Sequence, residues 1–301
     1  MCLVAFAINA SRRWPLVIAA NRDEFLNRPT LPLARWQTAA GQDIISGRDL
    51  RAGGTWLGIT PGGRMALLTN VREAQPQVAE KSRGELVMRW LEGDMDAAQF
   101  MAQTNSMAYG GCNLVLGDFQ RENWVWLTNK ANVTTASDDR AASAVSSSGW
   151  RSRTLEPGIY GLSNAALDTP WPKTRALKEA LKTAVAAPDL LSLEAPLWPA
   201  LANRQRASDA DLPNTGVPLA LEQALSSAFV DYPEYGYGTR CSTVLVASAS
   251  AVLQGGMRWD VSMQEKTHPR PDGDEPMTGH LAELLEHACT VQWQRLGSTT
   301  V

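Results

Sequence analysis

The stretches MCLVAFAI (residues 1–8) and LVIAANRDE (residues 16–24) are joined by a short turn-like segment, and they decide the interpretation of the fold. Residues 2–8 and 16–20 are uninterrupted apolar runs. Runs that are apolar on both faces are typical of central strands covered on both sides. The sequence therefore predicts a buried hairpin that starts with a thiol and ends with four polar residues.

The thiol belongs to Cys2, which follows Met1. A cysteine side chain is small enough for an aminopeptidase to remove Met1, so we expect a mature chain that begins with Cys2. A free amine and a thiol on one residue form a compact base and nucleophile. The polar quartet at residues 21–24 also fits a solvated strand end or a helix cap. Its position beside the strand that carries Cys2 favours a functional role.

Composition indicates an ordinary globular protein. The 301 residues are 44% hydrophobic and 20% charged, which is enough to bury a large core in one big domain or two small ones. Twenty-eight Lys and Arg against 31 Asp and Glu give a net charge of -3. This balance predicts no nucleic-acid partner and no binding to an anionic membrane. We expect small molecules or proteins as partners, and the oligomeric state stays open.

Cysteine spacing bears on compartment and metal binding. The four cysteines lie far apart with no Cys-x-x-Cys pair: Cys2, Cys112, Cys241 and Cys289. This pattern fits neither a disulfide scaffold nor a zinc ribbon, so we predict a reducing compartment and no metal site. No apolar run approaches the roughly 18 residues of a membrane span. The predicted location is the cytoplasm.

Several later strands also end in polar residues. Residues 55–59 form a predicted strand after Gly53-Gly54, and residues 65–70 form another that ends at Asn70. Residues 159–164 end at Asn164, and Arg240 lies at the entrance of a further strand. Helices are predicted at 83–91, 95–103, 173–186 and 219–230, hairpins at 110–127 and 235–266, and surface loop or irregular strand at 131–153.

The C-terminal part is predicted to contain a Pro- and Asp-rich linker at 267–279 and a helix at 280–295. The helix rests on the spacing of Leu281, Leu284, Leu285, Ala288 and Val291. No internal repeat or domain linker is evident, so a single domain over residues 1–301 is predicted. The order of elements indicates an α+β fold in which two antiparallel sheets lie between helical layers.

Six motifs in order resemble the NRDE family, whose eukaryotic members are the transport and Golgi organisation proteins. They are residues 1–3 (MCL), 20–24 (ANRDE), 47–49 (GRD), 53–58 (GGTWLG), 69–72 (TNVR) and 237–240 (YGTR). The resemblance covers most of the chain. It implies a link with haem handling and with acyl-CoA or lipid metabolism.

More distantly, the arrangement is similar to N-terminal-nucleophile (Ntn) hydrolases of the penicillin V acylase and bile salt hydrolase type. That similarity implies a four-layer αββα sandwich with Cys2 as nucleophile. By position it implies Arg22 and Asp23 as catalytic groups, with Asp23 or Glu24 orienting the amine or the Arg. It also implies Asn70 as an oxyanion-hole donor. Two further catalytic groups are implied: Asn164 as a second polar group and Arg240 as electrostatic support.

The motif residues Asn21, Glu24, Trp56 and Arg72 are predicted to bind the ligand. One departure concerns the quartet: the hydrolases separate their Arg and Asp by three positions, whereas Arg22 and Asp23 are adjacent here. Strand alternation puts Arg22 and Glu24 on one face and Asn21 and Asp23 on the other. Only one of these pairs faces Cys2, and the sequence leaves open which.

Three functions follow. The leading one is an N-terminal-cysteine hydrolase or acyltransferase that acts on an acyl amide or thioester. The alternative is a non-catalytic carrier of haem or of acyl-CoA or lipid, in the same pocket. A protein-interaction scaffold that uses the predicted helix at 280–295 is third. No cofactor is predicted to be required, and the ligand is an acyl compound or haem.

Direct sequence support for haem is slight. The histidines, His268, His280 and His287, all lie near the C-terminus, and the sequence contains no Cys-x-x-Cys-His motif. His280 and His287 are seven residues apart, which would place them on one face of the predicted helix. Surface histidines on a terminal helix are the favoured interpretation.

Overall fold

The structure is a computed structural model that describes residues 2–76, 79–130, 146–251, 257–268 and 285–295. Fourteen strands and six α-helices form its described part. The strands are β1 (Cys2–Ile8), β2 (Leu16–Phe25), β3 (Thr30–Gln37), β4 (Asp43–Asp49), β5 (Leu57–Ile59), β6 (Arg64–Asn70), β7 (Cys112–Asp118), β8 (Asn123–Thr128), β9 (Arg151–Thr154), β10 (Gly158–Leu162), β11 (Asp231–Tyr232), β12 (Tyr237–Ala251), β13 (Met257–Thr267) and β14 (Leu285–Arg295). The helices are α1 (Gly84–Glu92), α2 (Ala97–Gln103), α3 (Pro172–Ala184), α4 (Leu190–Glu194), α5 (Leu197–Leu201) and α6 (Leu219–Ala224).

The strands form two antiparallel sheets. Sheet I has the order β10-β1-β2-β12-β13-β14, with β11 paired to β12, and sheet II has the order β3 to β9 in sequence. The predicted hairpin of β1 and β2 lies near the centre of sheet I, where Cys2 is the partner of Arg22 and Ile8 is the partner of Leu16. All seven residues of β1 are buried, as the apolar run predicts.

Three apolar cores separate the layers. Alternate residues of β1, such as Val4 and Phe6, point into the core between the sheets, where they meet Leu57 and Leu67 of sheet II. The intervening residues of β1 pack against α3 to α5 on the outer face of sheet I. Helices α1 and α2 pack on the outer face of sheet II. The layer order is αββα, so the predicted α+β sandwich of antiparallel sheets is confirmed.

The predicted helix at 280–295 is wrong over Leu285–Arg295, which forms strand β14 paired along its length with β13. Its burial alternates: Val291 and Trp293 are buried, while Thr290 and Gln292 are exposed. Pairing with the preceding strand gives these residues an apolar face at every second position, and this overrides the helical spacing. Residues 269–284, which include most of the predicted linker, lie outside the described residues.

Smaller differences occur at element ends and in one strand. The helix predicted at 95–103 begins at Ala97 as α2, where Asp96 caps it by accepting a hydrogen bond from the Gln99 backbone N–H. Strand β2 continues through the polar quartet to Phe25, because β12 pairs with it there. Strand β3 covers residues 30–37, for which the sequence predicted no strand. Among the described helices, none is long and apolar enough to cross a membrane.

Candidate active site

A cavity of about 440 Å³ opens beside Cys2, where the ends of β1 and β2 face sheet II. We call it the main cavity. Its lining includes Cys2, Arg22, Asp23, Glu24, Asp49, Trp56, Leu68 and Asn70. It also includes Arg28, Arg51, Gly54, Glu73, Lys81, Arg83 and Gly84. Both sheets therefore contribute, and the lining carries many charged side chains of both signs.

Cys2 lies at the start of β1 with 8% of its surface exposed. Its carbonyl oxygen accepts a hydrogen bond of 2.9 Å from the Ser163 hydroxyl, which fixes the backbone at this residue. Burial raises the pKa of the Cys2 thiol, and this outweighs the opposing effect of Arg22. The thiol therefore stays protonated near neutral pH, so nucleophilic attack requires a base that removes the proton.

Arg22 and Glu24 are the pair on the Cys2 face of sheet I. Arg22 is the direct cross-strand partner of Cys2, and its guanidinium lies 4.3 Å from the centroid of the Trp56 ring. Its Nη2 atom is 3.6 Å from Glu24 Oε2 and 3.7 Å from Asp49 Oδ2. Asp49 also accepts a 2.6 Å hydrogen bond from Arg28 Nε. A cluster of alternating charges thus borders the thiol.

Asn21 and Asp23 lie on the opposite face, towards the helices. The Asn21 amide donates to the carbonyl oxygens of Leu201 and Ala228, both at 2.8 Å, and its Oδ1 accepts from the Ser242 hydroxyl at 2.7 Å. These contacts commit the Asn21 side chain to joining sheet I to the helical layer. Asn21 is not in the lining of the main cavity, and its predicted role in ligand binding stays a prediction.

Asp23 is a buried carboxyl at the edge of the main cavity. Its Oδ1 accepts a 2.7 Å hydrogen bond from Thr239 Oγ1. Burial raises the pKa of Asp23, and the nearby Lys173 ammonium opposes this shift. Burial also lowers the pKa of Lys173 to about 8, while its Nζ donates to the Leu225 carbonyl oxygen at 2.8 Å. Burial therefore disfavours the charged form of both groups, and the attraction between them opposes this effect.

Asn70 lines the main cavity from sheet II, at the end of β6. Its carbonyl oxygen accepts a 2.8 Å hydrogen bond from the Asn164 side-chain amide, and the Arg72 N–H donates to the Asn164 carbonyl oxygen, also at 2.8 Å. Asn164 follows β10 of sheet I, so it ties the two sheets together beside the site. It supports the Asn70 backbone and is not in the cavity lining described above.

Arg72 and Arg240 are turned away from the thiol. The Arg72 guanidinium forms a buried ion pair with Glu222 and lies 4.8 Å from the centroid of the Trp171 ring. Arg240 Nη1 donates to the carbonyl oxygens of Phe25, Leu26 and Arg28, at 2.9 to 3.1 Å. It holds the turn after β2 and thereby places Arg28 at the cavity.

Some residues of the site were missed as candidates. Asp49 lies in the GRD motif at 47–49. The sequence alone does not show that its carboxylate lies near the buried Arg22 on the Cys2 face. Ser163 directly precedes Asn164, and its bond to the Cys2 carbonyl oxygen follows from the pairing of β10 with β1. Lys173 and Glu222 come from α3 and α6, and no local motif marks them.

Close contacts explain why two positions in the motifs are glycine. A Cβ atom on Gly47 would lie 2.4 Å from Cη2 of Trp56, so glycine leaves the space that the indole occupies. A Cβ atom on Gly54 would lie 2.6 Å from the carbonyl carbon of Gly84, so two backbones meet there at the start of α1. Both glycines shape the wall of the main cavity.

The described histidines lie away from the main cavity lining. His268 is next to Ser242, with Nε2 to Oγ at 2.9 Å, and stacks edge-on against Phe229. His287 lies on strand β14 and not on a helix, whereas His280 lies outside the described residues. Among the described residues, no group of three or more His, Cys, Asp or Glu side chains is arranged to hold a metal ion.

Comparison with known proteins decides the family. Residues 1–255 match the family model described as Transport and Golgi organisation 2 (TANGO2). The chain belongs to the TANGO2 family. The mouse homologue of Transport and Golgi organization 2 is 30% identical over 290 residues, covering 89% of this chain and 99% of the mouse protein. The bovine homologue is 32% identical over 267 residues, covering 83% of this chain and 89% of the bovine protein. The NRDE resemblance is thereby confirmed.

Solved structures include two similar chains. An N-acylethanolamine-hydrolyzing acid amidase orthologue from Caenorhabditis elegans has a TM-score of 0.47 and 12% identity, covering 81% of this chain and 92% of that one. A mutant conjugated bile acid hydrolase from Clostridium perfringens has a TM-score of 0.38 and 9% identity, covering 86% of this chain and 88% of that one.

Proposed function

We propose that this TANGO2-family protein is an N-terminal cysteine nucleophile that hydrolyses or transfers an acyl group from an amide or thioester. The observation that carries the proposal is the position of Cys2, at the start of a central strand and on the wall of a cavity of about 440 Å³. Arg22 beside it and Asn70 across from it supply polar groups where an acyl substrate would bind.

The reaction requires that Met1 is removed, so that the α-amine of Cys2 acts as the base. The amine takes the thiol proton while Sγ forms a bond to the acyl carbon. The protonated amine then gives this proton to the leaving nitrogen or sulfur as the old acyl bond breaks, which leaves a thioester on Cys2. Water attacks the thioester in hydrolysis, and a second nucleophile does so in transfer.

In this proposal, specific residues stabilise the charge that develops in the transition state. The Asn70 amide donates to the developing oxyanion, while Arg22 favours the thiolate form of Cys2. Asp23 orients the α-amine from the edge of the cavity. Ser163 and Asn164 act through the backbone, because they hold the Cys2 carbonyl and the Asn70 carbonyl in place.

The test combines intact-mass analysis with acylation by p-nitrophenyl acetate. We expect a mature N-terminal Cys2 and one acetyl adduct mapped to it, together with a burst of nitrophenolate. Cys2→Ala is expected to lose the adduct and the burst. Cys289→Ala is the matched control, because Cys289 is only partly buried and lies on β14. Retained Met1, or an adduct on Cys289 alone, would contradict the proposal.

A non-catalytic carrier is the second candidate, and one observation favours it: the cationic side chains of Arg28, Arg51 and Arg83 line the main cavity, where they would attract an anionic ligand. In that case an acyl-CoA or haem would occupy the main cavity intact. Calorimetric titration of Cys2→Ser with acyl-CoA and with haem separates the two functions. Tight binding without turnover by the wild-type protein favours the carrier.

A further inference from the structure

A second, smaller cavity adjoins Cys2 on the side of the inter-sheet core. Its volume is about 10 Å³, close to the space of a single water molecule. Most of its lining is apolar, with Cys2, Val4, Ala20, Trp56, Leu57 and Leu67 among the residues, while Asn21, Arg22 and Thr243 are its polar members. We call it the side cavity. The side cavity extends from the thiol into the apolar core between the sheets, whereas the main cavity extends from the thiol towards the charged side chains of its lining.

Trp56 lines both cavities. One face of its indole meets the Arg22 guanidinium at 4.3 Å, and its six-membered ring fills the space left by the missing side chain of Gly47. The ring also packs against the core between the sheets. Contacts on several sides hold the indole in place, so its position sets the boundary between the two cavities.

The polarity and volume of the two cavities indicate which part of a substrate each one would bind. An apolar group gains free energy by leaving water for an apolar cavity, and a charged group keeps its partners in a charged one. From this geometry we infer that the side cavity receives the acyl substituent and that Trp56 restricts it to short groups, of acetyl or propionyl size. The leaving group then lies in the main cavity and is polar or charged.

This inference rests on the proposed function and adds a substrate class to it. Longer acyl chains require Trp56 to move away from both Arg22 and Gly47. Forcing extra methylene groups into packed apolar space costs about 1–3 kcal/mol, which corresponds to a rate loss of roughly 5- to 150-fold.

The experiment uses p-nitrophenyl acetate, butyrate and octanoate on the full chain, with acylation of Cys2 read by mass and by nitrophenolate release. In each case Sγ forms a thioester, the ester C–O bond breaks, nitrophenolate leaves and the α-amine takes the thiol proton. We expect acetate to acylate the wild-type protein at least about tenfold faster than octanoate. In Trp56→Ala, the ratio should fall to about threefold or less, because the wall is removed.

Trp36→Ala is the matched control. Trp36 is also a half-buried indole stacked on an arginine, with the Arg48 guanidinium 4.7 Å from its ring centroid, but it lies in neither cavity lining. Its ratio should equal that of the wild-type protein. Equal rates for acetate and octanoate in the wild-type protein, or an unchanged ratio in a folded Trp56→Leu, would overturn the assignment while leaving a nucleophilic Cys2 intact. Failure of all three esters to modify Cys2 would overturn the proposed function and the assignment together.

Discussion

The two ends of the sandwich differ in how they are closed. At the aromatic end, the Phe119 ring lies 4.8 to 5.2 Å from the rings of Trp124, Trp259 and Trp293, and a cavity of about 40 Å³ is left there. At the open end, around Cys2, arginines and carboxylates line the strand ends, and the cavity is about 440 Å³.

The difference shows how one fold separates stability from chemistry. Aromatic rings fill space in every direction, and each buries a large apolar area. Charged side chains leave room, because each needs partners and solvent around it. Strands β1 and β2 therefore connect a closed end that stabilises the sandwich to an open end that holds the reactive groups.

Phe119→Ala tests the closed end and should have the largest effect. Removal of a buried aromatic side chain leaves a cavity, and we expect a loss of about 3–5 kcal/mol in the free energy of unfolding. Urea denaturation measures it, and Phe119→Leu, which keeps most of the volume, should lose clearly less. Equal losses for both variants would mean that the aromatic contacts do not close this end.

Asn70→Ala tests the open end. If the Asn70 amide binds the oxyanion, acylation of Cys2 should slow by about 100-fold with little change in unfolding free energy. The rate of nitrophenolate release measures the effect. Asn123→Ala, at the exposed start of β8, is the control. A rate equal to that of the wild-type protein would remove Asn70 from the proposed mechanism.

Glu222→Gln tests the buried ion pair behind the open end. The change leaves the Arg72 cation without its anionic partner, while the new amide oxygen still accepts from Thr215. Loss of one partner of a buried pair costs about 3–5 kcal/mol, and the retained acceptor should reduce this to about 2–3 kcal/mol. Glu179→Gln, an exposed glutamate near Lys182, should change unfolding free energy by less than about 0.5 kcal/mol. Equal effects of the two substitutions would mean that the buried ion pair between Arg72 and Glu222 does not stabilise the fold.

His268 gives the smallest effect and a pH dependence. Burial lowers the pKa of His268 from 6.5 to about 4, so the unfolded chain binds its proton first as the pH falls. Stability should therefore fall between about pH 6.5 and 4, by about 1 kcal/mol after allowance for partial exposure. Urea unfolding at pH 6.5 and at pH 4 should show a smaller loss of unfolding free energy for His268→Gln than for the wild-type protein. An identical loss in both proteins would mean that His268 does not cause this pH dependence.

The central strands could be predicted because their signal is local. The apolar runs at residues 2–8 and 16–20 specify β1 and β2, and the polar strand ends mark the edge where Cys2 and Asn70 meet. Strand β14 could not be predicted in the same way, since its partner β13 supplies the reason for its alternation. The spacing of the nearby leucines fits the period of a helix, so local pattern alone predicted a helix where the chain forms a strand.

The directions of the site side chains depend on distant partners. Arg72 follows Asn70 by two residues, yet Glu222 draws its guanidinium away from the main cavity. Asn21 is held by the carbonyl oxygens of Leu201 and Ala228 in the helical layer. Strand alternation limited the quartet to two arrangements, and the register of β1 with β2 selected the one with Arg22 beside Cys2.

The contact between Gly54 and Gly84 has a consequence for variation at this site. Because main chain meets main chain there, that part of the cavity mouth has a width set by peptide geometry and not by side-chain size. Exchange of neighbouring side chains changes the charge and chemistry of the entrance but leaves this seam in place. Homologous chains that keep both glycines should thus share one aperture while accepting different molecules through it.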